Sequence, residues 1–166
     1  METLKSADFL TELGNRYLKD DLLIEAVAIL ELTISRHPKH APAYSSLGYV
    51  LMETNKDLKL AEQHLNKAIE LDPNYHFSYT YLSKLLGLQQ RFPELKKLLK
   101  NMKTVPRSYQ IPLILELGFQ EELNGNFDKA IEVYKSALNL AKEIDEMDNV
   151  TNAMDRCLNK IDLNGI

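Results

Sequence analysis

The sequence predicts an all-α protein, a solenoid in which antiparallel helix pairs follow one another and a C-terminal helix closes the stack. Three observations predict this class. Helix-breaking residues are rare, with six Gly and six Pro in 166 residues. The good helix formers Leu, Ala, Glu and Lys dominate the rest. Leu-Gly or Leu-Ser pairs recur every 34 or 35 residues, ending at residues 14, 48, 83 and 118, and a period of this length is typical of stacked helical repeats.

The first repeat, residues 7–40, has the pattern of two helices. Leu10 and Gly14 share one face of the first helix. Gly14 has no side chain, so a second helix can approach closely at that point. The acidic pair ending at Asp21 predicts the turn, and Pro38 ends the second helix because proline cannot continue it. We therefore expect a helix–turn–helix unit.

The same pattern repeats along the chain and predicts further units at residues 41–75, 76–110 and 111–144. Pro42 and Pro112 lie where the first helical residue of their units is expected, a position that proline tolerates well because its missing N–H is not needed there. All four units keep phase, so we expect a single domain that spans residues 1–166.

A C-terminal helix is predicted for residues 145–163, where apolar residues recur at helical spacing. A solenoid needs a terminal helix with a polar outer face to cover its last unit, and we interpret this segment as that cap. The stretch 139–149 contains neither Gly nor Pro, so one long helix through it is an alternative. The apolar stripe consists of Val150, Met154, Cys157, Leu158 and Ile161.

These residues resemble the tetratricopeptide repeat family, whose 34-residue pattern holds an aromatic residue, Leu-Gly, Tyr, then Ala, Phe, Ala and Pro. The resemblance covers about residues 7–144, and the third repeat departs from it at Ser83 and Leu95. It implies a right-handed superhelix of helix pairs. It also implies that the first helices line a concave groove in which a peptide or a helical segment of a partner binds.

Helical geometry, at 100° per residue, then gives the side chains that point away from the contact within each pair. Several are aromatic or apolar, as in the buried centre of protein interfaces, so we expect a partner with an apolar segment. Some members of the family bind the C-terminal carboxylate of a partner through Lys, Arg and Asn side chains. At the equivalent positions of this sequence only Asn15 matches and the cationic residues are missing, so the resemblance does not predict this mode of binding. The predicted groove residues are Asn15, Tyr49, Met52, Phe77, Tyr81, Lys84, Leu88, Leu115 and Phe119.

The net charge of −4 is unevenly distributed. Residues 1–75 carry 8 basic and 12 acidic side chains, residues 76–110 carry 7 and 1, and residues 111–166 carry 5 and 11. The basic stretch 76–110 forms either a solvated outer face or a patch that steers an acidic partner. Its acidic neighbours argue against nucleic acid as the partner. The candidate steering residues are Arg91, Lys96, Lys97, Lys100 and Lys103.

No motif of catalysis is present: there is no phosphate-binding Gly-rich loop, GxSxG, HExxH or CxxC. His37 and His40 are interpreted as exposed turn residues, because a metal site needs more ligands than these two. Cys157 is interpreted as a small buried apolar residue of the cap. We therefore expect no enzymatic activity, no catalytic or metal-binding residues and no cofactor.

The function that we predict is a non-enzymatic scaffold for protein–protein interaction. Two alternatives stay open: a chaperone like those of bacterial type III translocators, and a structural subunit that associates with itself as a homo-oligomer. One cysteine fits a reducing compartment, and the longest apolar run is far shorter than the ~20 residues that cross a bilayer. We therefore expect a cytoplasmic protein without membrane insertion.

Overall fold

The computed structural model describes residues 6–54, 57–102 and 105–164, and every regular element in these ranges is an α-helix. The predicted class, an all-α fold of helix pairs with a C-terminal helix, is confirmed. The chain divides into two compact units, Met1–Leu85 and Leu86–Ile166, called unit 1 and unit 2 below. The helices are α1 (Ala7–Lys19), α2 (Leu23–Arg36), α3 (Ala41–Glu53), α4 (Leu58–Leu71), α5 (His76–Leu88), α6 (Phe92–Asn101), α7 (Arg107–Leu123), α8 (Phe127–Leu138) and α9 (Ile144–Asn164).

Three of the turns that join the helices of a pair have the same construction. Asp21, Gln90 and Gly125 have φ values of 58°, 58° and 73°, in the left-handed region. Each is followed by an N–H that bonds back to the carbonyl five residues earlier, at 2.8 to 2.9 Å. This is the Schellman motif, which ends a helix and satisfies its last carbonyls. The next helix begins two residues after each of these positions.

Local side chains also fix where helices start. The Ser6 hydroxyl accepts a hydrogen bond from the Phe9 N–H at 3.2 Å, at the start of α1. The Asp57 carboxylate accepts one from the Leu60 N–H at 2.8 Å, at the start of α4. Such caps satisfy N–H groups that have no partner within the helix. Pro42 lies in the first two positions of α3, close to its expected place.

The expectation for Pro112 is wrong. Helix α7 begins at Arg107, so Pro112 is inside the helix rather than at its first position. The reason lies upstream, where Pro106 caps the helix with an extended ψ of 141°. The Gln110 amide then donates hydrogen bonds to the carbonyls of Val105 at 2.6 Å and Met102 at 3.2 Å. These contacts stabilise an additional helical turn at the start of α7, before Pro112.

Glycine lets the two helices of a pair touch. A Cβ atom built on Gly14 would lie 2.7 Å from Leu30 Cγ, and one on Gly48 would lie 2.7 Å from Leu65 Cγ. One on Gly118 would lie 2.2 Å from a ring carbon of Tyr134. All three distances are shorter than van der Waals contact, so a side chain at these positions would force the facing Leu or Tyr of the partner helix to shift.

The end of unit 2 is closed by α9, which packs against α8 through a core that includes Tyr134, Val150 and Cys157. Helices α8 and α9 are separate, so the alternative of one continuous helix is wrong. The Glu146 carboxylate accepts hydrogen bonds from the Lys142 and Glu143 N–H groups at 3.0 and 3.3 Å. This acidic side chain caps the start of α9 in the manner of a capping box.

Two residues of the predicted cap stripe are at opposite extremes of exposure. Cys157 is fully buried and Leu158 is 47% exposed. Neighbouring residues on a helix point 100° apart, so only one of the two can face α8. Both residues are apolar, so the sequence alone did not show which of the two would be buried.

A buried carboxylate ties α9 to the helix pair before it. The side chain of Glu122 on α7 is 2% exposed. It accepts hydrogen bonds from Lys160 Nζ at 2.8 Å, from Arg156 Nη2 at 3.1 Å and from the Tyr134 hydroxyl at 3.2 Å. A buried charge is tolerated when it is paired and hydrogen-bonded, and these three donors meet that condition.

Burial alone would raise the pKa of Glu122, but the hydrogen bonds and charges of Lys160 and Arg156 outweigh it, so the net pKa is below its usual value. Burial, followed by the Glu122 charge, raises the pKa of the Tyr134 phenol, which therefore stays neutral and donates its hydrogen bond. Burial, again followed by Glu122, raises the pKa of the Cys157 thiol. Cys157 is therefore a thiol in the core, not a reactive thiolate.

Gly118→Ala should lower the free energy of unfolding by about 1–3 kcal/mol, because the added methyl group overlaps the Tyr134 ring. Gly87→Ala is the matched control in unit 2. A Cβ there would lie 3.6 Å from the nearest atom, a carbon of Gln120, so the higher helix propensity of Ala should leave stability unchanged or raise it by up to ~1 kcal/mol. Urea unfolding followed by circular dichroism measures both. Equal effects of the two substitutions would contradict the close approach at Gly118.

Glu122→Gln should destabilise the chain by about 1–3 kcal/mol at pH 7, because the charged donors of α9 lose their carboxylate. The pKa of Glu122 is lowered by folding, so its contribution is complete above the unfolded pKa of ~4.3 and disappears as pH falls through the lower folded value. The stability gap between the two proteins should therefore narrow below pH 4. Glu132→Gln, at an exposed carboxylate on α8, is the control. A gap that is constant from pH 7 to pH 3 would contradict this account.

Candidate binding groove

Unit 1 contains a groove with a volume of about 670 Å³. Its lining comes mainly from α1, α3 and α5, which are the first helices of three successive predicted repeats. The groove is lined by Glu12, Asn15, Leu18, Lys19, Asp21, Leu23, Ser46, Tyr49, Glu53, Thr54, Tyr75, Phe77 and Tyr81.

One side of the groove is an aromatic wall, formed by Tyr49, Tyr75, Phe77 and Tyr81. The rings of Tyr49 and Tyr81 are stacked, with centroids 4.3 Å apart and planes at 16°. The rings of Phe77 and Tyr81 are 6.1 Å apart at 25°, and those of Tyr75 and Phe77 are 5.5 Å apart at 54°. The wall is therefore one connected set of aromatic contacts.

The sequence places these rings together through helix geometry. Phe77 and Tyr81 are four residues apart on α5, so their side chains lie on the same face of that helix. Tyr49 projects from α3 and completes the stack. Phe77 is 43% exposed, so this large apolar ring is available to a ligand.

Burial, with smaller contributions from Tyr81 and Asp72, raises the pKa of Tyr75 to about 12. Burial, then Tyr49 and Glu53, raises the pKa of Tyr81. Both phenols are therefore neutral at physiological pH and can donate a hydrogen bond as well as accept one. The wall combines apolar area with polar tips, a combination that is common at protein interfaces.

Beside the wall lies an ion pair that joins α3 and α5. Lys84 Nζ is 2.7 Å from a carboxylate oxygen of Glu53. The same ammonium is 5.8 Å from the centroid of the Tyr49 ring, within cation–π distance. Lys84 was predicted as a groove residue, and its charge is already engaged by Glu53 and Tyr49 of unit 1.

The structure brings Asn15, Tyr49, Phe77 and Tyr81 together in this groove, as their positions in the repeat predict. Met52 is different, because it is 4% exposed and belongs to the core. Its expected place in the groove is corrected: Met52 lies on a side of α3 that is buried.

Glu12 and Ser46 were missed although the repeat contained a signal for them. Both occupy the same repeat position as Tyr81, which is one of the predicted groove residues. The same comparison across the three repeats would have found them. Asp21 had been given only a turn role, and it has both: it adopts the left-handed conformation and lines the groove.

In unit 2, the predicted residues Leu115 and Phe119 line a separate cavity of about 370 Å³ together with Tyr134 and Arg156. Phe119 is 42% exposed and Leu88 is 67% exposed. Their roles as binding residues remain predictions.

Three of the predicted basic residues, Lys96, Lys97 and Lys100, are exposed on α6. Lys96 and Lys100 border a cleft of about 530 Å³ in unit 2 whose apolar lining includes Leu99 and Val133. Arg91 pairs with Glu94, and Lys103 lies outside the described residues. The steering role of this patch remains a prediction.

His37 and His40 are half-buried rather than exposed, which corrects the expectation for this turn. His40 Nε2 is 3.6 Å from an Asp8 carboxylate oxygen. Burial lowers the pKa of His40, Asp8 opposes this and His37 adds to it. Across the described part of the chain, no three His, Cys, Asp or Glu side chains are grouped closely enough to hold a metal ion.

Comparison with known proteins supports the same fold. Residues 41–75 match the family model of the tetratricopeptide repeat. The resemblance predicted from the sequence is therefore confirmed, and the chain carries a tetratricopeptide repeat within a fold of helix pairs. No curated protein sequence gives a significant match.

Three solved structures illustrate the similarity in fold. PilF of Pseudomonas aeruginosa is 22% identical, with a TM-score of 0.74 over 93% of this chain and 68% of PilF. TTC0263, a tetratricopeptide repeat protein of Thermus thermophilus, is 19% identical, with a TM-score of 0.65 over 92% and 84% of the two chains. MamA is 16% identical, with a TM-score of 0.65 over 94% and 88%. At these identities the likeness concerns the fold.

No helix within the described ranges combines the length and the apolar character that a bilayer span requires.

The Glu53–Lys84 pair should contribute less than ~1 kcal/mol to stability, because both side chains are partly exposed and water screens their attraction. A double-mutant cycle with Glu53→Gln and Lys84→Met, measured by urea unfolding, gives the coupling free energy. The exposed Lys67–Glu70 pair of α4 is the reference and should give a similar or smaller value. A coupling above ~2 kcal/mol would make the pair a structural element and contradict the expectation.

Proposed function

We propose that the protein is a non-enzymatic scaffold that binds a segment of a partner protein in the groove of unit 1. The observation that carries this proposal is the aromatic wall, because it offers partly exposed rings inside a concave surface. Large apolar residues left accessible in a groove typically mark an interaction site. Aromatic side chains also supply a large share of interface energy at small entropic cost.

The dimensions of the groove fit this role. Ligand sites are usually clefts of about 300–1,000 Å³, and the groove has about 670 Å³. It accommodates a few consecutive side chains of an extended segment or one face of a helix. Asn15 on α1 and the neutral phenol of Tyr81 on α5 can form hydrogen bonds with the backbone or polar groups of such a segment.

The tetratricopeptide repeat at residues 41–75 supports a protein as the ligand, since this family consists mainly of protein-interaction modules. An apolar partner segment, a cytoplasmic location and the absence of catalysis belong to the same proposal. The secretion-chaperone and self-association alternatives rest on the sequence alone and remain hypotheses. Analytical sedimentation at several protein concentrations tests the self-association alternative.

The groove is tested by a double substitution, Phe77→Ala with Tyr81→Ala. Peptides are first selected on the intact chain from a displayed random library, and their affinities are measured by fluorescence anisotropy. If the aromatic wall provides hot spots worth about 2 kcal/mol each or more, each substitution weakens binding by roughly 30-fold. Thermal melting and circular dichroism test whether the double variant remains folded. If it does not fold, the single substitution Phe77→Ala is measured instead.

The matched control removes exposed apolar residues elsewhere in unit 1. Ile24 and Leu32 on α2 are 76% and 37% exposed and do not line the groove. Ile24→Ala with Leu32→Ala should leave peptide affinity unchanged. If the groove variant binds as tightly as the control, or if selection yields no binding peptide, the proposal is wrong.

A further inference from the structure

We propose that the groove of unit 1 selects a basic partner segment, in which Arg or Lys side chains pair with Glu12 and with Asp21 while neighbouring apolar side chains pack on the aromatic wall. This inference rests on the proposed function, since it specifies the ligand of the same groove. It differs from the acidic partner that the sequence left open as one interpretation of the basic stretch 76–110.

The charges that line the groove are predominantly negative. Its lining includes the carboxylates of Glu12, Asp21 and Glu53 and only one ammonium, that of Lys19. Glu53 is satisfied by Lys84. Among the described residues, neither Glu12 nor Asp21 has a cationic nitrogen within 4 Å. Two exposed carboxylates therefore remain at the groove, with Lys19 as their only basic neighbour in its lining.

The basic residues that suggested an acidic partner do not line this groove. Lys96, Lys97 and Lys100 belong to α6 in unit 2, whereas all lining residues of the groove belong to unit 1. Unit 1 as a whole carries 9 basic and 12 acidic residues. Both the groove and unit 1 therefore carry a net negative charge, which attracts a basic ligand.

The aromatic wall suits a cationic side chain as well as an apolar one. The ring faces of tyrosine and phenylalanine attract ammonium and guanidinium groups within about 6 Å. Lys84 already shows this arrangement within the protein, because its ammonium is 2.7 Å from a Glu53 carboxylate oxygen and 5.8 Å from the centroid of the Tyr49 ring. Glu12, Asp21 and the accessible ring of Phe77 line one groove, so a ligand there meets both carboxylates and an aromatic surface.

Exposed ion pairs are weak individually, so these carboxylates are expected to decide which segment binds more than how tightly it binds. A ligand with Glu in place of Arg or Lys would lose the attraction and meet repulsion from the same two groups. We expect the two effects together to separate basic from acidic ligands on the order of tenfold at low ionic strength. The difference should shrink as salt is added, because the screening length falls to about 10 Å at 0.1 M.

The test uses three pools of fluorescent 15-residue synthetic peptides. All pools carry the same randomised set of Leu, Phe and Met, and the remaining positions are Lys and Arg in the first pool, Gln in the second and Glu in the third. Binding to the intact chain is measured by anisotropy at low and at high salt. The expected order of affinity at low salt is basic, then neutral, then acidic.

The diagnostic variant is Glu12→Gln with Asp21→Asn, which removes both charges and nearly preserves side-chain size. Asn accepts the left-handed backbone conformation of Asp21 as readily as Asp does. This variant should bind the three pools within about threefold of one another. Glu25→Gln with Glu31→Gln, at exposed positions of α2 outside the groove, makes the same change in net charge and should keep the preference.

The outcomes separate this inference from the proposed function. A basic preference that only the Glu12/Asp21 variant loses supports the inference. Equal binding of the three pools, a preference for the acidic pool, or an equal loss of preference in both variants overturns it, and binding that still depends on Phe77 and Tyr81 would leave the groove function intact. If no pool binds the intact chain, both proposals are wrong.

Discussion

The close contact between the two helices of a pair is the constraint on which much of this structure depends. Where Gly48 faces Leu65 there is no room for even one methyl group, so one face of each helix is committed to its partner. In the pairs α1–α2 and α7–α8, where Gly14 and Gly118 make the same close contact, a Schellman turn with a left-handed residue keeps the connection short. Because one stripe of each first helix is used in this way, its other faces are left to pack elsewhere or to form a surface. The groove of unit 1 is built from such faces of α1, α3 and α5.

The helix pairs could be predicted because small residues carry the information locally. A glycine on the first helix and an alanine on the second, present in the first, second and fourth repeats, permit the two helices to pack closely. The start of α7 could not be predicted in the same way. Pro112 is compatible with the first position of a helix, but the Gln110 amide and Pro106 extend the helix in the N-terminal direction. That outcome depends on a hydrogen bond to the preceding loop, which has no periodic signal.

The groove could be predicted in part, because the side chains that point away from a helix pair follow from helix geometry. Asn15, Phe77 and Tyr81 were found by this reasoning. Met52 was assigned to the groove by the same reasoning and is nevertheless buried. Geometry within one repeat gives the direction of a side chain but not the identity of what it meets. Whether that direction ends in solvent or in a neighbouring helix is a property of the packed unit, which the sequence of one repeat does not contain.

Charge shows the same difference between local sequence and folded structure. Lys84 falls in the basic stretch 76–110, yet its ammonium pairs with Glu53 of the acidic stretch 1–75. Adding charges along the chain therefore assigns Lys84 to a positive surface, whereas the fold places it against a carboxylate and an aromatic ring. What a ligand meets in the groove depends on which charges remain after such pairs have formed. Glu12 and Asp21 remain, and nothing in the sequence sets them apart, because each lies among other acidic residues of its own stretch. The fold brings them into the same groove as the aromatic wall, which is why the proposed selection of a basic segment assigns them a role.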